Sequence, residues 1–113
     1  MISDNNKEPL SSRALDLAEV IDYQPGAVVS RTLIDKPEGT VSVFAFEAGE
    51  GLSEHTAPFD ALVGVIEGTG EVVISSEKHD LKKGQIIIMP ANRPHSVKAA
   101  SRLKMMLVMI RGD

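Results

Sequence analysis

The chain has 113 residues, 42% of them hydrophobic but only 4% aromatic, with 12 Lys and Arg against 16 Asp and Glu for a formal net charge of −4. That length fits one domain with a single core, built here from Val, Ile, Leu and Met because Trp is absent. The acidic balance lacks the basic excess of a nucleic-acid binder, and with no cysteine the chain can form no disulfide, zinc–thiolate site or cysteine nucleophile.

The opening MISDNNKEPLSS is polar and reads as a lead-in without fixed structure over residues 1–12. It holds no apolar core of a secretory leader, and no later run approaches the roughly 20 apolar residues of a membrane span. The expectation is a cytoplasmic protein that engages neither membrane nor nucleic acid. The folded domain is expected over residues 13–113. It begins with SSRALDLAEVIDY, where Ser12 can cap a short helix with Leu15, Ala18 and Ile21 on one side, or the segment is an extended arm.

Beyond Pro25-Gly26 the character changes to short β-rich segments between turn residues. AVVSRTLI and TVSVFAFEA come first. In the second, Val41, Val43 and Ala45 point one way and Thr40, Ser42, Phe44 and Phe46 the other. ALVGVIE, EVVIS, HDLKKG, QIIIMP, HSVKAA and KMMLVMI follow, with EGTGE between two of them reading as a tight β turn and Lys82-Lys83 as a solvated one. Eight or nine strands without an intervening long helix predict an all-β sandwich or closed barrel. QIIIM and MMLVMI are apolar throughout, as in strands covered on both faces. A partner subunit could supply the second cover, so a homodimer is expected.

Two stretches carry a glycine-punctuated frame. In the first, Gly49 is followed after five residues by His55, and then by Ala57, Ala61 and Gly68. In the second, Gly84 leads to Pro90, Asn92, His95 and Ala99. These frames resemble the two motifs of the cupin family, of the small single-domain kind, over residues 26 to 111. The resemblance implies a single antiparallel jelly-roll β-barrel with a ligand pocket at its mouth, commonly dimeric, and a metal held by three His and one Glu. Here Ala57 stands at the second His position and Ala61 at the Glu position, so only His55 and His95 of that set remain. Asn92 and Ala99 replace a Gly and an Asn of the second motif.

Alanine offers no lone pair, and two imidazoles alone hold a divalent ion far more weakly than three or four ligands do. One such ion (Fe, Mn, Zn, Ni or Cu) or none is compatible with this set. Asp60 is the available third ligand, but it lies one residue from the Glu position, where strand alternation points it to the other face. The competing reading makes Asp60 a loop cap that accepts backbone N–H groups. His55, Ala57, Phe59, Ala61, Met89 and His95 are the expected pocket residues, with Val63, Val65 and Val97 as further candidates. His79 reads as a solvated turn residue. Arg31, within a strand, would need an anionic partner if buried, or else faces solvent. The first functional reading is a small-molecule-binding barrel with weak or no metal. The alternative is a metal-dependent enzyme, of oxygenase or isomerase type, using His55, His95 and a third ligand such as Asp60.

Overall fold

The strand-by-strand alternation of the sequence closes on itself in two sheets. The computed structural model describes residues 1–3 and 10–111. Most of the expected lead-in, residues 4–9, lies outside the described residues. The described residues form ten strands: β1 (Ile2–Ser3), β2 (Val28–Lys36), β3 (Gly39–Phe46), β4 (Gly51–His55), β5 (Asp60–Glu67), β6 (Thr69–Ile74), β7 (Glu77–Lys82), β8 (Ile86–Met89), β9 (His95–Ala99) and β10 (Leu103–Ile110). One sheet runs β1-β2-β3-β10-β5-β8 and the other β4-β9-β6-β7. Every pairing is antiparallel except that of β1 with β2, where Ile2 lies beside Val29 and Ser3 beside Ser30. The architecture is the expected all-β jelly-roll barrel.

The two apolar stripes of β3 enter different cores. Phe44 and Phe46 face the barrel interior with Val63, Val65, Val72, Leu103 and Met105. Val43 and Ala45 face outward, where Val20, Ile21 and Val29 cover them. The segment expected as a helix or arm is that cover. It forms only a single 3-10 turn at Leu17–Glu19, capped by Asp16 and not by Ser12, with the Asp16 carboxylate accepting from Ala18 N. Ile21 is buried as expected, whereas Leu15 is exposed.

Arg31 also points under this cover. It is buried, but its guanidinium donates to the Val20 carbonyl oxygen at 2.9 Å and not to an acidic side chain. The partner predicted to be anionic is thus a backbone dipole, which leaves the charge stabilised without a second buried ion.

Two turns differ from their sequence reading. Gly68 joins β5 to β6, which lie in different sheets, so EGTGE is a corner between sheets and not a hairpin. Gly68 has φ +80°, and a Cβ there would stand 1.8 Å from the Arg102 carbonyl oxygen, so both conformation and space demand glycine. The hairpin lies after β6, where Ser75 and Ser76 both have positive φ between the paired Ile74 and Glu77. His79 follows it within β7, half-buried opposite Val72, and so is a strand residue and not a turn residue.

Candidate functional site

His55 ends β4 and His95 begins β9, and register pairs them directly across the smaller sheet. Three loop contacts hold this end of the barrel. Asn92 adopts φ +65°, a conformation Asn tolerates better than most residues, and its N–H donates to the Ala57 carbonyl at 2.8 Å. Asn92 thus takes a left-handed backbone shape that glycine, the residue the resemblance implies at this position, adopts freely. The Pro94 carbonyl accepts from Ser75 N at 2.9 Å. Asp60 provides the third contact, its carboxylate accepting from Ala91 N at 2.9 Å. The loop after β4 and the loop before β9 are thus tied to each other, which fixes the two histidines.

The two imidazoles meet edge to face, with ring centroids 4.3 Å apart. Each Nδ1 lies against a carbonyl two residues earlier, His55 on Ser53 at 2.9 Å and His95 on Arg93 at 3.1 Å. A carbonyl only accepts, so each Nδ1 carries the hydrogen and each Nε2 presents a lone pair when the ring is neutral. The two Nε2 atoms stand 3.1 Å apart. With both rings neutral, electron pair faces electron pair, an arrangement that a shared proton or a cation relieves. His95 is 4% exposed, and burial pushes its pKa below the ordinary histidine value, opposed by the Arg93 carbonyl and reinforced by His55.

The pair sits at one end of a cavity of about 410 Å³ inside the barrel. His55, Ala57, Ala61, Met89 and His95 line it as the sequence suggested, and so does Val97. Phe59 does not. It lies outside the wall, half-buried with the Arg111 guanidinium 5.8 Å from its ring centroid. Val63 and Val65 are inward-facing but belong to the packed core below the cavity. Asp60 is likewise absent from the wall, because adjacent strand residues face opposite ways and its neighbour Ala61 faces in. Its carboxylate accepts from Ala91 N, which is the contact the loop-cap reading describes.

Sequence reasoning missed the far wall, made by Phe44 of β3 and by Met105, Leu107 and Met109 of β10. The alternation within MMLVMI carries that signal, but it is hidden because the intervening residues are apolar as well. Met89 and Met109 lie directly opposite Ala61, one on each neighbouring strand.

Among curated proteins none matches this sequence at a significant level. Solved structures do. A conserved protein of unknown function from Streptococcus pyogenes is 31% identical over 100% of this chain and 97% of its own, with a TM-score of 0.87. A cupin superfamily protein from Desulfitobacterium hafniense is 27% identical over 89% of this chain and 93% of its own, TM-score 0.85. A cupin 2 conserved barrel domain protein from Leptotrichia buccalis is 39% identical over 86% of this chain and 47% of its own, TM-score 0.81. The family model described as a cupin domain matches residues 42–111, which spans both histidines and both glycine frames. With more than half of its length matched, the chain belongs to the cupin domain family.

Proposed function

We propose that this cupin barrel binds a small, largely apolar molecule, its polar end directed at His55 and His95. The supporting observation is the cavity itself. Its volume of about 410 Å³ falls in the range of small-molecule sites, and its wall is apolar apart from the imidazole end. The two alanines at the motif positions leave room where longer side chains would stand. Thermal-shift screening against small carboxylates, sugars and phenols tests this, because a ligand of the native state raises the melting temperature. Ala57→Leu, which narrows the half-buried mouth, is expected to abolish the shift without unfolding the protein. A screen with no stabilising compound, or shifts unchanged in Ala57→Leu, would overturn the reading.

The family commonly holds a divalent metal, and the donors present here do not fit that ion. Two of the four motif positions are alanine, and Asp60 is committed to Ala91 N. Among the described residues no group of three or more His, Cys, Asp or Glu side chains gathers as a metal site requires. The alternative of a metal-dependent enzyme of oxygenase or isomerase type therefore has less support. A salicylate 1,2-dioxygenase variant from Pseudoaminobacter salicylatoxidans shares the fold at 20% identity and TM-score 0.69, and that likeness does not extend to the activity.

We infer as well that two copies associate through the outer face of the larger sheet. Ile86 and Ile88 of β8 are 63% and 59% exposed, next to Leu62 and Gly64 of β5, and Met106 and Val108 of β10 extend the same face. An apolar sheet face of this kind marks an association surface. Light scattering at micromolar concentration is expected to give twice the chain mass, and a monomeric mass would remove the inference.

A further inference from the structure

A second hollow lies outside the barrel, under the N-terminal cover, and a buried charge faces it. Arg31 of β2 is 9% exposed, and its Nη1 donates to the Val20 carbonyl oxygen at 2.9 Å. A guanidinium carries five N–H donors in a planar fork. Nε and Nη2 of Arg31 have no hydrogen-bond partner among the described residues. They are not sealed off either, because the only fully buried side-chain polar atom without a partner among those residues is Thr40 Oγ1. The Nε–Nη2 edge therefore opens into the hollow that Arg31 borders, of about 440 Å³.

That edge presents two parallel N–H groups, a spacing matched by the two oxygens of one carboxylate. A guanidinium withdrawn from water without a counter-ion is costly, so such a group gains by pairing with an anion. Asp16 and Glu19 border the hollow but do not fill that role. Both are exposed, and no ion pair among the described residues joins either to Arg31. The Asp16 carboxylate instead accepts from Ala18 N. Their charges do select the anion, since two acids at the border repel a dianion more than a monoanion. Arg13 adds a second positive charge at the same border, and Leu10, Ala14 and Leu15 supply an apolar remainder.

We propose that this hollow binds a short-chain monocarboxylate, its two oxygens accepting from Nε and Nη2 of Arg31 and its hydrocarbon tail lying against Leu10 and Leu15. Sequence reading asked for an anionic partner of Arg31 if the side chain is buried, and the bound carboxylate is that partner. The site is separate from the barrel cavity, so it goes beyond the small-molecule reading and does not depend on it.

The test is a titration with butyrate at constant ionic strength, followed by the NMR signal of the Arg31 Nε–H, with inorganic phosphate and butylamine as comparison probes. Butyrate is expected to move that signal saturably, and to the same extent in Ala57→Leu, which separates this site from the cavity. Phosphate is expected to bind about tenfold more weakly and butylamine not to move the signal. Arg31→Lys keeps the charge without the two-pronged edge and is expected to lose about tenfold in butyrate affinity. Arg31→Met replaces the buried charge with an apolar chain of similar length, a change that folded proteins tolerate, and is expected to abolish butyrate shifts at the Val20 and Val43 amides. An Arg31 Nε–H signal unmoved by butyrate in the unaltered protein would overturn the proposal, whether or not the variants fold. Equal affinity for phosphate, undiminished binding in Arg31→Lys, or loss of the shift in Ala57→Leu would overturn it as well. A failure in the thermal-shift screen at the cavity counts against the small-molecule reading alone.

Discussion

Two polar clusters flank the barrel, and they are built on opposite principles. Near the sheet-switching corner, the Tyr23 hydroxyl donates to Glu67 at 2.7 Å, and Arg102 pairs with Glu47 through two bonds at 2.8 and 3.2 Å. Arg102 and Lys104 both lie about 5 Å from the Tyr23 ring centroid, at 4.9 and 5.0 Å. Lys104 also donates to the Ala18 carbonyl, which ties the N-terminal cover to β10. Every group in this cluster has a partner of complementary kind. At the cavity, by contrast, two acceptors face each other across 3.1 Å. A cluster closed on itself holds a structure together, whereas unused lone pairs at a cavity are the feature on which the proposed binding role rests.

That contrast can be broken most forcefully at Gly68, the residue between Glu67 and Thr69. Gly68→Ala forces a Cβ against the Arg102 carbonyl and an unfavourable φ, and is expected to cost about 3 kcal/mol in chemical denaturation. A loss below 1 kcal/mol would mean that the corner yields and does not fix the cluster. Tyr23→Phe comes next. It leaves the half-buried Glu67 carboxylate without its donor and is expected to cost ~1–2 kcal/mol, with ligand binding unchanged.

Tyr23 is the single tyrosine, so its ionisation is readable directly by absorbance. Burial, then the hydrogen bond to Glu67 and that carboxylate's charge, push its pKa well above the ordinary phenol value, with Arg102 opposing. Because the folded value is raised, the contribution to stability is complete below the unfolded value of about 10 and is lost as pH climbs beyond it. The phenolate band of native protein is expected to appear well above pH ~10, and Glu67→Gln is expected to bring it down. Coincidence of the native and unfolded titrations would show that the cluster is open to water.

The smallest effect is expected on the other side of the comparison. His55→Leu removes one of two opposed acceptors at an exposed site, so stability should change by less than about 0.5 kcal/mol or rise. A loss as large as that of Tyr23→Phe would show that the imidazole pair is structural, and would remove the distinction between the clusters.

Much of the site was legible because its signals are local. The spacing Gly49–His55–Gly68 and Gly84–Pro90–His95 pointed to the barrel end and its two histidines, and Ala57 and Ala61 stand in the same frame. Period-two alternation warned that Asp60 points away from the side taken by Ala61, and the clamp on Ala91 N agrees with that. Phe59 misled because it sits in a loop, where alternation gives no direction. Arg31 misled because the sequence cannot tell a carboxylate from a backbone carbonyl as the partner of a buried charge.

Strand order, register and the depth of each side chain were decided by tertiary structure alone. MMLVMI carries equal hydrophobicity on both faces, so its sequence does not say that Met105 and Met109 look inward while Met106 looks out. Neither does it say that Met109 and Met89, 20 residues apart in the chain, end on either side of Ala61. The physical reason is that periodicity encodes which residues share a face of one strand. Which strands become neighbours is decided by long-range closure of the barrel. The two histidines, and the alanines at two positions of the motif frames, were written in the sequence. The methionines on either side of Ala61 were placed there by the pairing of β5 with β8 and β10.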